Sequence, residues 1–368
     1  GRMAFSLSTR MQRIDSSGIR RVFDLAASLK NPINLSIGQP DYAMPEPIRE
    51  AIEKALRDGK TAYTPTQGIL PLRERMARKY ATVNGFEAHP DDIIISSGIA
   101  ALLELLFLVS IDSGDEVLLT DPAFLIYRSL LSFLGARVHT IREDFAPDEA
   151  LAFSGQNLKL IVFSTPSNPT GRIMEKKQIK AFADLAERTG ALLVSDEIYE
   201  LFDYEKKFLS PASLYPRTIT LSGFSKTYSM TGLRLAAATG PRDVLKAMTT
   251  LQQYSIVCAP SAVQYGGIAA LELDMSSYVA RYKENRNRLA GCLASLSFPS
   301  PDGAFYLFPR IGGNDLEFVE RAIKEEELLL VPGNIFTDAT DSIRISYAVS
   351  TETLDRGLAA LTRMLNLA

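Results

Sequence analysis

Histidine and cysteine are scarce in this chain of 368 residues, which holds two of each. His89 precedes Pro90 in a turn-like stretch and His139 falls in an apparent strand, so a histidine metal cage or a Ser-His-Asp relay would have to be built from these two alone. Both mechanisms are discounted. Cys258 and Cys292 form no CxxC motif, and one potential disulfide in so long a chain fits two core thiols in a reducing compartment better than a stapled scaffold. Forty Lys plus Arg against 43 Asp plus Glu give a net charge of −3, which offers no field to nucleic acid or an anionic membrane. No apolar run reaches the roughly 18 residues of a membrane helix, and the first residues lack the apolar core of a signal peptide. A cytoplasmic location and a small-molecule substrate are expected.

What is present is ordinary globular material: 46% hydrophobic and 23% charged residues, enough for a large core, in a length that predicts two domains. From about residue 90, apolar runs at 92–97, 116–120, 137–141, 158–164, 191–196, 217–222 and 235–239 alternate with helical patterns. Most of these runs are continuous rather than alternating, as strands covered on both faces require. The pattern predicts a doubly wound α/β sheet, whose ligands sit beyond the carboxyl ends of its strands. After about residue 240, helices over 241–253 and about 260–290 lead to short strands near 303–311, 328–333 and 342–348 and a final helix from about 352. These predict a smaller α+β unit, joined by roughly the first 40 residues.

The strand ends carry the chemistry. The first runs into Gly98-Ile99-Ala100 and a helix, whose free N–H groups suit a phosphate. No GxxxxGK[ST] or GxGxxG opens there, so a nucleotide-dependent Rossmann enzyme lacks its fingerprint. The run 158–164 ends in STPSNPTG with Asn168, and 191–196 ends in Asp196-Glu197-Ile198-Tyr199. The run 217–222 leads into GFSKTYSMTGLR, placing Lys226 among hydroxyls and eight residues before Arg234. A lysine held in a cleft can lose its proton and attack a carbonyl. An amine, a carboxylate, a phenol, an amide, an arginine and a helix N-terminus together match the groups of pyridoxal 5′-phosphate.

The sequence resembles the class I/II aminotransferases of pyridoxal-phosphate fold type I, in particular the aspartate and aromatic-amino-acid branch. The resemblance covers nearly the whole chain, through SGIRRVFDLA (17–26), LSIGQPDY (35–42), YTPTQGILPLRE (63–74), GDEVLLTDPAFLIY (114–127), STPSNPTG (164–171), SDEIYE (195–200), SGFSKTYSMTGLRLA (222–236), DGAFYLFPR (302–310) and IRISYA (343–348). It implies a mostly parallel seven-stranded sheet with a smaller α+β domain, divided as an arm at 1–44, a large cofactor-binding domain at 45–270 and a small domain at 271–368. It implies a Schiff base on Lys226, which also moves the substrate proton, and Asp196 on the pyridine nitrogen. Tyr199 and Asn168 would bond the 3′-oxygen, with Phe124 on the ring face. Arg234, Ser222, Ser225 and the Gly98, Ile99 and Ala100 amides would take the phosphate. Arg344, with Gly38 and Asn168, would hold the substrate carboxylate. Tyr63 would reach the phosphate of a neighbouring subunit in a homodimer. Cis peptide bonds are implied before Pro122 and Pro169.

Some positions depart from the family pattern. Ala100 and Gly223 stand where many relatives carry hydroxyls, and Leu233 replaces a frequent tryptophan. Tyr127 stands in place of a histidine that supports the aspartate in some relatives, which makes a Tyr127–Asp196 bond the expectation. The implied reaction moves an α-amino group between an L-amino acid of aspartate, aromatic or alanine type and a 2-oxo acid such as 2-oxoglutarate. A lyase or decarboxylase using the same cofactor and lysine is the alternative, since motifs do not decide which bond at the α-carbon breaks. A regulator would need an added DNA-binding module, and the resemblance already begins by about Ser17. Side-chain preference is assigned to residues near Ile19, Tyr127 and 252–260.

Overall fold

The computed structural model describes residues 1–14, 20–155 and 157–367, so Ile19 lies outside the described residues. A short β1 (Ile33–Asn34) comes first. Then follow β2 (Ile93–Ser96), β3 (Glu116–Asp121), β4 (Arg137–Arg142), β5 (Leu158–Ser164), β6 (Leu192–Asp196), β7 (Thr218–Gly223) and β8 (Ala236–Thr239). These seven make one sheet in the order β2-β8-β7-β6-β5-β3-β4. The continuous apolar runs are continuous because β2, β6 and β8 are buried along their whole length. At the edge, β4 holds only exposed and half-buried residues, with none fully buried, as partial cover there allows.

Only β8 runs against its neighbours, pairing antiparallel with both β2 and β7. Its start therefore lies at the same edge as the ends of the other strands. That reversal brings Arg234, two residues before β8, to the edge that carries Asp196 and Lys226. The run LAAAT holds no sign of strand direction, so the sequence alone did not reveal it.

The helix Lys176–Thr189 shows how the covering layer is coded. Glu175 caps its start through a reciprocal bond with Gln178, and Gly190, at φ +80°, ends it. Its inner stripe of Ile179, Phe182, Leu185 and Ala186 is fully buried, each large side chain contributing about 1.5–3 kcal/mol. The long helix expected over 260–290 is instead two, Ser261–Ala270 and Ser276–Cys292, because Asp274 accepts the Ser276 N–H at 2.9 Å and starts a new one. Cys258 and Cys292 are free and half-buried rather than core residues: one sits on an open depression, and the other packs at the margin of a core.

The C-terminal region adds β9 (Tyr306–Leu307), β10 (Leu328–Leu329), β11 (Val331–Pro332) and β12 (Ile343–Ser346). β12 lies between β11 and β9, antiparallel to both, while β10 pairs in parallel with β1. The Ser346 N–H donates to the Leu35 carbonyl at 2.8 Å, and one core cluster joins Ile33 and Leu35 to Tyr282, Phe305, Tyr347 and Leu354. The N-terminal stretch is thus built into the C-terminal unit. Gly171 closes the junction with the large sheet. At φ +77° it accepts from the Gly303 N–H, and a Cβ there would stand 2.7 Å from the Gly303 carbonyl oxygen. Among the described residues no helix is long and apolar enough to cross a membrane.

Candidate active site

A cavity of about 290 Å³ opens at the carboxyl edge of the sheet, where doubly wound folds place their ligands. β7 delivers Lys226 three residues past its end. The Lys226 Nζ donates to the Gly38 carbonyl at 2.5 Å. Burial pushes its pKa down to about 8, with help from the Arg344 and Arg234 charges.

β6 ends on Asp196, which is 4% exposed. Its Oδ2 accepts from the Tyr127 hydroxyl at 2.5 Å and its Oδ1 from the Ile198 N–H at 3.2 Å. Burial pushes this carboxyl up to about 6, and the two bonds hold it below where burial alone would leave it. The bond expected from Tyr127 is therefore present. Alternate residues of the same segment face away: Glu197 accepts from the Ser210 hydroxyl at 2.8 Å and the Asn84 amide at 3.3 Å, and Glu200 pairs with Lys79.

Tyr199 lies in the cavity wall with its hydroxyl 2.8 Å from that of Tyr306. Asn168, from the loop after β5, accepts a 3.0 Å bond from Arg344, which also donates to the Ser36 carbonyl at 2.9 Å. The Arg344 guanidinium sits 4.3 Å from the Tyr306 ring centroid and 5.2 Å from that of Phe336. Its Nε is buried without a partner.

At the other end, Gly98 caps the helix Ile99–Ser110 with φ +94°, and a Cβ there would meet Arg234 at 2.5 Å. The missing side chain lets the guanidinium lie against the helix N-terminus, two positive groups that gain from an anion between them. Ile99, Ala100, Ser225 and the half-exposed Phe124 complete this side.

Two expected residues lie elsewhere. Ser222 shares a 3.0 Å hydroxyl bond with Tyr80 on the far face of β7, lining a different depression. Tyr63 is 86% exposed beside Cys258 and Pro260, with no contact to this cavity. The peptide bonds before Pro122 and Pro169 are cis, and so is that before Pro166. Sequence reasoning missed Tyr306, Ser36 and Phe336. The GAFYLFPR motif pointed toward Tyr306, but nothing local to Ser36 or Phe336 marks them. Among the described residues no cluster of His, Cys, Asp or Glu forms a metal-binding group.

The model of the family described as aminotransferase class I and II matches residues 30–361. The chain is similar to a probable aspartate aminotransferase of Methanocaldococcus jannaschii, 37% identical over 96% of this chain and 98% of the relative. It is similar also to aromatic-amino-acid aminotransferase 2 of Thermococcus litoralis, 36% identical over 98% of each. Among solved structures, the aspartate aminotransferase of Thermotoga maritima superposes with a TM-score of 0.94 at 30% identity, covering 98% of this chain and all of that one.

Proposed function

The chain belongs to the class I and II aminotransferases, and from that premise we propose that it carries an α-amino group from an amino acid of aspartate or aromatic type to a 2-oxo acid, with 2-oxoglutarate as acceptor. Pyridoxal 5′-phosphate is the proposed cofactor and Lys226 the amine that holds it. One observation carries this reading: Lys226, Arg234 and Arg344 share a cavity with a single carboxylate, Asp196. Three cations against one anion leave room for a phosphate at the Arg234 end and a carboxylate at the Arg344 end, and the donors present fit both. When bound, the cofactor supplies an aldehyde for the amine and a ring that takes up an electron pair from the substrate α-carbon.

The protein's residues do the rest. Lys226, with its pKa lowered to about 8, gives up its proton far more readily than an ordinary lysine and would take the proton from the substrate α-carbon. Asp196 keeps a proton on the ring nitrogen, held in place by Tyr127 and the Ile198 N–H. Tyr199 and Asn168 bond the phenolic oxygen. Arg234, Ser225 and the N–H groups of Gly98, Ile99 and Ala100 hold the phosphate, and Arg344 binds the substrate carboxylate. The division near residues 44 and 270 and a homodimer in which Tyr63 reaches a neighbouring phosphate remain part of the proposal; the exposure of Tyr63 is compatible with such a contact.

Stoichiometry tests the function. Loaded protein given one amino acid and no acceptor should release one equivalent of 2-oxo acid per site and stop, then resume on addition of 2-oxoglutarate. Sustained turnover without acceptor would replace this reading with the lyase or decarboxylase. For Arg344→Ala, KM should rise about 100-fold for every amino donor, the loss of two charge-assisted bonds. If one donor alone were affected, Arg344 would be reading the side chain.

A further inference from the structure

Tyr306 belongs to β9, is fully buried, and touches both Tyr199 and Arg344. Its hydroxyl meets Tyr199 at 2.8 Å and its ring lies under the Arg344 guanidinium at 4.3 Å. It also sets the space at Gly38, where a Cβ would come within 3.4 Å of the Tyr306 hydroxyl. Register with β12 fixes the ring, since Tyr306 pairs with Ser346 two residues from Arg344.

We propose that Tyr306 is a positioning residue with two separable jobs: its hydroxyl donates to Tyr199 and so turns the Tyr199 proton into the cavity, and its ring face holds Arg344. The first job follows from proton counting. Each phenol has one proton, and the bond between the two consumes one of them. If Tyr199 donates to Tyr306, it has nothing left for a ligand oxygen; if Tyr306 donates, the Tyr199 proton is free to point at the phenolic oxygen of the cofactor. A donated bond also polarises Tyr199 and strengthens the bond it makes in turn. The second job follows from the cation–π contact, which fixes the guanidinium plane while Asn168 and Ser36 fix its edge.

This rests on the proposed function, and the experiment keeps the two apart. Wild-type protein loaded with pyridoxal 5′-phosphate is titrated with pH while the lysine–cofactor absorbance band is followed. Failure to form the band at all would reject the cofactor reading itself. With the band present, Tyr306→Phe should raise its titration midpoint by about 0.5–1 pH units, because the phenolic oxygen loses part of its stabilisation. An unchanged midpoint overturns the hydroxyl job.

For the ring, dissociation constants are measured for 3-phenylpropanoate and maleate, a mono- and a dicarboxylate with no amine to transfer, using whichever the wild type binds more tightly. Tyr306→Phe keeps the ring and should stay within about twofold of wild type, whereas Tyr306→Leu should bind about tenfold more weakly. Equal affinity in the two variants, or no wild-type binding of either carboxylate, overturns the ring job. Should Tyr306→Leu fail to fold, Tyr306→Met takes its place.

Discussion

Replacing Lys226 by alanine is expected to abolish the lysine–cofactor absorbance band and to lower turnover by at least about 10⁴-fold, the upper range for losing a positioned proton carrier. Both effects have one origin in the proposed function, in which the same nitrogen is the attachment point and the base. Its surroundings are arranged for that double use. A lysine at its ordinary pKa would remain protonated at neutral pH and could do neither job well. Here burial disfavours the ammonium, and two arginines in the same cavity repel it. The alanine variant should still fold, since the Lys226 Nζ makes its hydrogen bond to a carbonyl beside a cavity of about 290 Å³, where solvent can replace it. Thermal melting and spectroscopy on the same sample separate loss of chemistry from loss of fold. Normal transamination by this variant would sink the assignment.

The second large effect is expected for Asp196→Asn: kcat lower by about 10³-fold, with much smaller loss of cofactor affinity. The asparagine keeps the shape, and its one oxygen can accept from Tyr127 though no longer also from the Ile198 N–H. What disappears is the negative charge that makes protonation of the ring nitrogen favourable, and with it the electron demand on the substrate. In the proposed site, cofactor affinity rests mainly on the Arg234 end, away from this change. Measuring kcat and the cofactor dissociation constant on one preparation tests the split. A variant that loses affinity and keeps kcat would make Asp196 a binding residue only.

Much of this was readable before the structure, for particular reasons. Strands covered on both faces leave continuous apolar runs, and a functional group just after such a run sits at the ligand edge by geometry. Lys226, Asp196 and Asn168 were legible on that ground, and Arg344 through resemblance. What failed to show were properties of contact at a distance. Tyr199 and Tyr306 are 107 positions apart, and no local spacing encodes their bond. Ser222 is a candidate for the phosphate where Ala100 and Gly223 lack the hydroxyls of many relatives, yet strand alternation turns its hydroxyl to Tyr80. The reversed direction of β8 likewise depends on partners, not on its alanines.

The reversed strand and the place of β12 near the C-terminal end also divide the proposed site between one stretch of chain and its two ends. The residues proposed for the cofactor, from Gly98 to Arg234, fall in one stretch of chain and hang on one sheet. The carboxylate clamp needs more: Arg344 must come from β12 near the C-terminal end, and Ser36 must wait near the other end until β12 is there to receive it. The proposed clamp therefore depends on both ends of the chain, whereas the proposed cradle does not.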